Sequence, residues 1–174
     1  KADVVLGPRT NDYHPDHRNV GLLLQDAAYM VTVPFFCPDV PALAKNPVFL
    51  YYEDRFEKPN PFSADIVLSI DDVIEKKVAC TEALESQFYE GGCCSGVSEL
   101  PDTPEDRAAR QQEVQESFRR RFARTADRFR EELSEWYGED AANVGSAEAF
   151  EVCEYGRQPS TAELRELFPF FNDE

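Results

Sequence analysis

Apolar residues first cluster at Val4-Val5-Leu6, a short run that predicts a buried strand ended by Gly7-Pro8. The turn-rich Arg9-Thr10-Asn11-Asp12 follows. Val20, Leu23, Leu24, Ala27, Ala28 and Val31 then recur at helical spacing and predict a helix with a core-facing stripe. Pro15 biases His14 toward an extended backbone, and Asp16 is a good N-cap, so the helix is expected to begin at His17 and to stop by Pro34. Four prolines between Pro34 and Pro47 predict an irregular connection. Val48 to Tyr52 is a dense run of β-formers, expected to be a central strand, and Ile66 to Ile70 is another. The polar, proline-bearing stretch between them reads as a loop. Asp72 and Glu75 have capping-box spacing and predict a helix over Val73 to Phe88, closed by Gly91-Gly92.

Thr103-Pro104-x-Asp106 combines an N-cap, a proline at the first helical position and an acid in the first turn. It predicts a long helix reaching about Tyr137, with Val114, Phe118, Phe122, Ala126, Phe129, Leu133 and Trp136 on one apolar face. Glu116/Arg120 and Arg128/Glu132 sit at i,i+4 on the other face. Gly138 ends that helix. Ala147 to Cys153 predicts a last strand, and Ser160-x-x-Glu163 a capping box that opens a short helix through Leu167. The aromatic end Phe168-Pro169-Phe170-Phe171 is expected to pack back on the body. The order of elements is that of an α/β protein with a partly parallel sheet. At 174 residues the chain suits one domain, in which residues 102–137 form a long amphipathic helical insertion.

Charge narrows the partners. A formal net charge of −16 argues against nucleic acid and against an anionic membrane surface. No stretch approaches the about 18 consecutive apolar residues of a membrane span. Five cysteines, two of them adjacent (Cys93-Cys94), do not suit a secreted disulfide framework, and point to a reducing cytoplasm. Those two thiols make a cysteine-based hydrolase one reading and incidental cysteines another; Ser95 has no nucleophile-elbow context. Arg119-Arg120-Arg121 is matched by acids along its helix and reads as a solvated charged face.

The candidate chemistry lies in Tyr13-His14-Pro15-Asp16-His17-Arg18, which holds both histidines of the chain at a strand-to-helix junction. Such junctions are where α/β folds place their sites. A bare His-x-x-His spacing also arises by chance in surface loops. Pro15 and the helix start aim the two imidazoles differently, so they need not share a metal. A helix N-terminus disfavours the imidazolium form and keeps His17 available as a ligand. Asp16 could orient an imidazole by a hydrogen bond. Arg9, Asp12, Tyr13 and Arg18 flank the motif and could bind sugar hydroxyls, although turn formation and packing explain Asp12 and Tyr13 equally well.

The block from Tyr13 to Arg18, followed by Asn19-Val20-Gly21 and Asp26-Ala27-Ala28, resembles the second signature of the LmbE-like (PIG-L) family of zinc-dependent N-acetylglucosaminyl deacetylases. Lys77 through Gln87 is similar to that family's Lys-x-x-Ala-Leu-x-x-x-x-Ser-Gln helix in loosened form, and Ala147-Glu148-Ala149-Phe150 to a late strand. The resemblance implies a Rossmann-like, mostly parallel sheet with flanking helices and zinc-dependent hydrolysis of the N-acetyl group of an N-acetylglucosamine-type sugar. It makes His17 a zinc ligand, His14 the imidazole beside the reacting amide, Asp16 its support, and Glu148 a pocket residue. The family's first signature, which supplies two ligands and the general base, has no counterpart here. The resemblance therefore implies that residues 1–174 are the C-terminal part of such an enzyme. Roughly a hundred residues would come from an N-terminal segment or a companion chain, within ordinary domain size. A homo-oligomer built on the long helix is a further expectation. The alternative is a non-catalytic module that binds carbohydrate or protein on a degenerate deacetylase fold.

Overall fold

A computed structural model of the protein describes residues 1–89 and 103–171. Four strands, β1 (Val4–Gly7), β2 (Val48–Tyr52), β3 (Ile66–Ser69) and β4 (Ala147–Gly156), form one sheet in the order β1-β2-β4-β3. β1 and β2 run parallel, with Val4 opposite Val48 and Gly7 opposite Tyr51. β4 lies antiparallel between β2 and β3, setting Leu50 against Val152 and Val67 against Ala149. Among the described residues the sheet is thus mixed, with one parallel and two antiparallel pairings, rather than mostly parallel. Side-chain alternation fixes which face a residue takes and carries no strand direction, so the reversal of β4 left no mark in the sequence.

Six helices accompany the sheet among the described residues: α1 (Pro15–Met30), α2 (Ile74–Ala79), α3 (Glu85–Phe88), α4 (Pro104–Arg128), α5 (Arg130–Tyr137) and α6 (Thr161–Leu167). α1 starts two residues before the expected point, because Pro15 takes the first helical position and His14 is the cap. The helix expected over Val73 to Phe88 is broken into α2, a 3-10 stretch at Cys80–Leu84 and α3, and Asp72 makes no capping bond. Thr81 sits at that break with its hydroxyl turned back onto the Val78 carbonyl at 2.8 Å and within 3.2 Å of the Tyr89 hydroxyl. The long helix is capped at Thr103, whose hydroxyl accepts the Asp106 N–H at 3.1 Å, and it divides at Phe129 (φ −110°, ψ 39°). Gly138, at φ +58°, ends α5 in a conformation that favours glycine. Ser160 and Glu163 form both halves of the expected capping box.

The core lies on the β3–β4 side. Val67, Ala126, Phe129, Leu133, Ala147 and Ala149 pack together on one face. Val48, Leu50, Ile66, Trp136, Phe150 and Phe168 pack on the other. Both halves of the long helix turn the predicted apolar stripe inward, and Phe171 stacks on Trp136 at 4.4 Å. α1 departs from expectation. Only Gly21 and Ala28 are buried on it, while Val20 and Leu23 are 46% and 66% exposed. Its stripe meets the sheet through Ala28 and Leu24, beside Phe49 and Cys153, because β1 is the edge strand and offers little surface beyond itself. No helix among the described residues is long and apolar enough to cross a membrane.

Candidate functional site

Because β1 and β2 are parallel, both deliver their carboxyl ends to the same edge of the sheet, where open α/β sheets form binding crevices. The loop leaving β1 is anchored there by Arg9, which is 8% exposed. Its guanidinium donates to both Asp54 carboxylate oxygens (2.7 and 2.5 Å) and to the carbonyls of Asn60 (2.9 Å) and Phe56 (3.0 Å). This fork fixes the loop after β2 against the loop after β1, and the hydrogen bond to Asp54 raises the guanidinium pKa. Glu151, 3.9 Å from Arg9, has its carboxyl pushed up by burial, which outweighs the Ser63 N–H and the arginine. α1 backs closely onto the same loop: a Cβ at Gly21 would come to 3.0 Å of the Pro8 carbonyl oxygen.

The two histidines sit side by side, ring centroids 4.8 Å apart and planes tilted by 34°. Their nitrogens are in different situations. His14 Nδ1 accepts the Asp16 backbone N–H at 3.2 Å, completing the cap of α1. A nitrogen that accepts carries no proton, so neutral His14 is protonated on Nε2 and donates from there. His17 Nδ1 lies 3.1 Å from Asp12 Oδ1, which also accepts the His14 backbone N–H at 2.8 Å. A proton on Nδ1, facing the carboxylate, would leave Nε2 of His17 with its lone pair free to accept or ligate. A carboxylate behind an imidazole in this manner is the usual support of a metal-binding histidine. Arg18 donates to the carbonyls of Asp12 and Tyr13, both at 2.8 Å, and so holds the loop that carries Asp12. Tyr13 meets both imidazoles edge-on at 5.9 Å.

A cavity of about 540 Å³ opens beside them. Asp12, Tyr13 and His17 line one side, the run Tyr52 to Phe56 another, and Ser117, Phe118, Arg121 and Arg124 of α4 the third. Burial, with a smaller contribution from Asp12, raises the Tyr52 phenol above its ordinary value, so it stays a neutral donor.

The structure thus brings Asp12, Tyr13 and His17 together and sets His14 against His17. Asp16 contributes its backbone to His14; its side chain is 84% exposed and 3.9 Å from Nδ1. The carboxylate that meets an imidazole at hydrogen-bonding distance is that of Asp12. Arg9 is spent on Asp54 and Arg18 on the loop, which leaves neither on the cavity wall. Glu148 pairs with Lys77 at 2.7 Å and does not line the cavity. Cys93, Cys94 and Ser95 lie outside the described residues. Arg55 and Arg124 carry no signal of their own in the sequence, and Arg121, read there as part of a solvated charged face, stands on the cavity wall. The two helical arginines share a signal only as a set, since Ser117, Arg121 and Arg124 follow one helical stripe at i, i+4 and i+7.

No group of three His, Cys, Asp or Glu side chains placed to hold a metal ion exists among the described residues. His17 with Asp12 behind it fits one ligand of a zinc site, and a catalytic zinc takes three protein ligands. The donor set fits part of such a site and does not complete it.

No protein-family model matches the chain. Among solved structures, the fold is similar to the 4-carboxy-2-hydroxymuconate hydratase GalB of Pseudomonas putida (TM-score 0.60, 16% identity, 91% of this chain and 55% of that one). It is also similar to the N,N'-diacetylchitobiose deacetylase of Pyrococcus horikoshii (TM-score 0.52, 17% identity, 92% of this chain and 50% of that one). The chain therefore spans about half the length of each, and what it shares with them is an α/β fold of a mixed sheet and flanking helices.

Proposed function

We propose that this chain carries part of the active site of a metal-assisted amidase that removes the acetyl group from an N-acetylated amino sugar. The observation that carries the reading is the different surroundings of the two Nδ1 atoms: that of His17 lies 3.1 Å from an Asp12 carboxylate oxygen, and that of His14 accepts the Asp16 backbone N–H. In such a hydrolase one imidazole accepts or ligates while its neighbour donates a proton to the charge that develops on the reacting amide. With Nδ1 facing Asp12, His17 would offer an unprotonated Nε2 to a ligand in the cavity that it lines. His14 keeps its proton on Nε2, ready for a carbonyl oxygen or a departing amine. A zinc ion bound with His17 would supply a polarised carbonyl and a water of lowered pKa. The further ligands and the general base would come from a preceding segment or a companion chain. It would dock at the edge of β1, which has no neighbouring strand among the described residues, and on the exposed apolar side of α1. The likeness to a diacetylchitobiose deacetylase fold is consistent with this reading.

The test is acetate release from N-acetylglucosamine and N,N'-diacetylchitobiose by the full-length, zinc-loaded protein. Release that falls at least about 100-fold in His14→Ala and in His17→Ala agrees with the roles given. No release by the unaltered protein rules the reaction out. A second reading, a binding module without catalysis, is favoured by the absence of a three-ligand group among the described residues. It predicts sugar binding with no acetate at any zinc concentration.

A further inference from the structure

The cavity beside His17 carries acids and arginines, and the two sets are in different states. Each acid is already occupied. Asp12 accepts from the His14 N–H and His17. Glu53 accepts the Thr125 hydroxyl at 2.6 Å and Arg128 at 3.1 Å. Asp54 takes the Arg9 fork. The arginines on the same wall, Arg55 from the loop after β2 and Arg121 and Arg124 from one stripe of α4, make no side-chain hydrogen bond or ion pair among the described residues. Their neighbours behave otherwise: Arg119, Arg120 and Arg128 of α4 pair with Glu75, Glu116 and Glu53. In a chain of net charge −16, these three unpaired guanidinium groups stand on the cavity that His17 lines.

We infer that this cavity binds an anionic group, a carboxylate or a phosphate, on the ligand whose other end lies at His17. Arginine forks match both groups by paired N–H···O bonds, and a concave wall on which Glu53 and Asp54 are already paired with other arginines leaves three guanidinium groups against the one charge of Asp12. The inference rests on the proposed deacetylation only for what lies at the histidine end; anion binding itself does not depend on it. It changes the expected substrate from a neutral sugar to an acidic one.

Calorimetric titration of the full-length protein with N-acetylglucosamine, its 6-phosphate and its 6-carboxylate (uronate) analogue tests this, with inorganic phosphate and tricarballylate as sugar-free anions. At least one of the charged sugars is expected to bind about tenfold or more tighter than the neutral one, with the advantage shrinking as salt rises. Which one does so tells phosphate from carboxylate. Arg121→Gln/Arg124→Gln should abolish the advantage, bringing the charged sugars to the affinity that the same variant shows for the neutral one. Both side chains are exposed, and an unchanged denaturation midpoint confirms the fold. Equal affinity for charged and neutral sugars, with no binding of phosphate or tricarballylate, overturns the inference. So does an advantage that survives the double substitution. Binding of the sugar-free anions that the substitution removes, with none of the three sugars bound, supports the anion site and counts against the amino-sugar reading.

Discussion

The β3–β4 side and the β1–α1 side of this molecule are built to different standards of burial. On the first, Leu133, Ala126, Val67 and Ala147 have no exposed surface, and α5 is wedged between two clusters of apolar side chains. On the second, a 16-residue helix buries two small residues and leaves Val20, Leu22, Leu23 and Tyr29 largely exposed. The histidines and Asp12 stand on the second side. What holds that corner in place is polar instead: the Arg9 fork onto Asp54, the Arg18 bonds and the His14 cap. The comparison separates two jobs. The apolar side holds the chain together, and the hydrogen-bonded side holds the geometry of the candidate site.

Substitutions on the two sides should therefore behave differently. Leu133→Ala removes a fully buried side chain and should cost about 2–5 kcal/mol in urea unfolding, whereas Leu23→Ala should stay within about 0.5 kcal/mol. Equal costs would remove the distinction. Next in size, Arg9→Met leaves Asp54, itself 12% exposed, without its partner and should cost about 3 kcal/mol by the same measurement. It should also alter the His17 environment, because the loop after β2 is then released. A stability loss that leaves the histidine resonances untouched would show that the fork does not shape the site.

The smallest effect concerns Glu151, whose carboxyl is raised by burial. A raised carboxyl means that the folded state prefers the protonated form. That penalty is absent below the unfolded value, near pH 4, and grows as pH rises through the folded value. Glu151→Gln should therefore be more stable than the parent at pH 7, with the gap closing toward about pH 4, since the amide oxygen can still accept the Ser63 N–H. A gap that widens in acid would contradict the assignment. Unfolding midpoints at a series of pH values decide it.

Much of the packed side was legible in the sequence. β2 occupies the residues expected, the Ser160 capping box forms with both halves, and Phe168 and Phe171 fold back as their composition suggested. The apolar stripe of the long helix is buried except at Phe118, which is half-buried and lines the cavity. Periodicity missed the division at Phe129 because Ala126, Phe129, Leu133 and Trp136 keep their three- and four-residue spacing through the break, and spacing reports a face, not a dihedral. The pairing expected for Arg128 with Glu132 goes instead to Glu53, 75 residues away along the chain. The histidine corner was legible as a motif and not as a site. Arg9 resembled a ligand-binding cation until its fork met Asp54, and Asp16 resembled the orienting acid until Asp12 filled that place. Both outcomes depend on contacts between distant segments or on how one loop turns, which local pattern does not encode. Only the arginines of α4 left a trace, as a stripe at helical spacing that a run of three arginines concealed.

The central claim is that the two imidazoles, in their neutral forms, take opposite tautomers, His14 with its proton on Nε2 and His17 on Nδ1. The chain contains only these two histidines, so a long-range ¹H–¹⁵N spectrum in alkaline solution reads both directly. The account predicts one ring with its bare nitrogen at Nδ1 and one with it at Nε2, assigned to His14 and His17 by His14→Gln and His17→Gln, with Asp12→Asn disturbing the second. Two rings in the same tautomer, or a His17 pattern indifferent to Asp12→Asn, would contradict it.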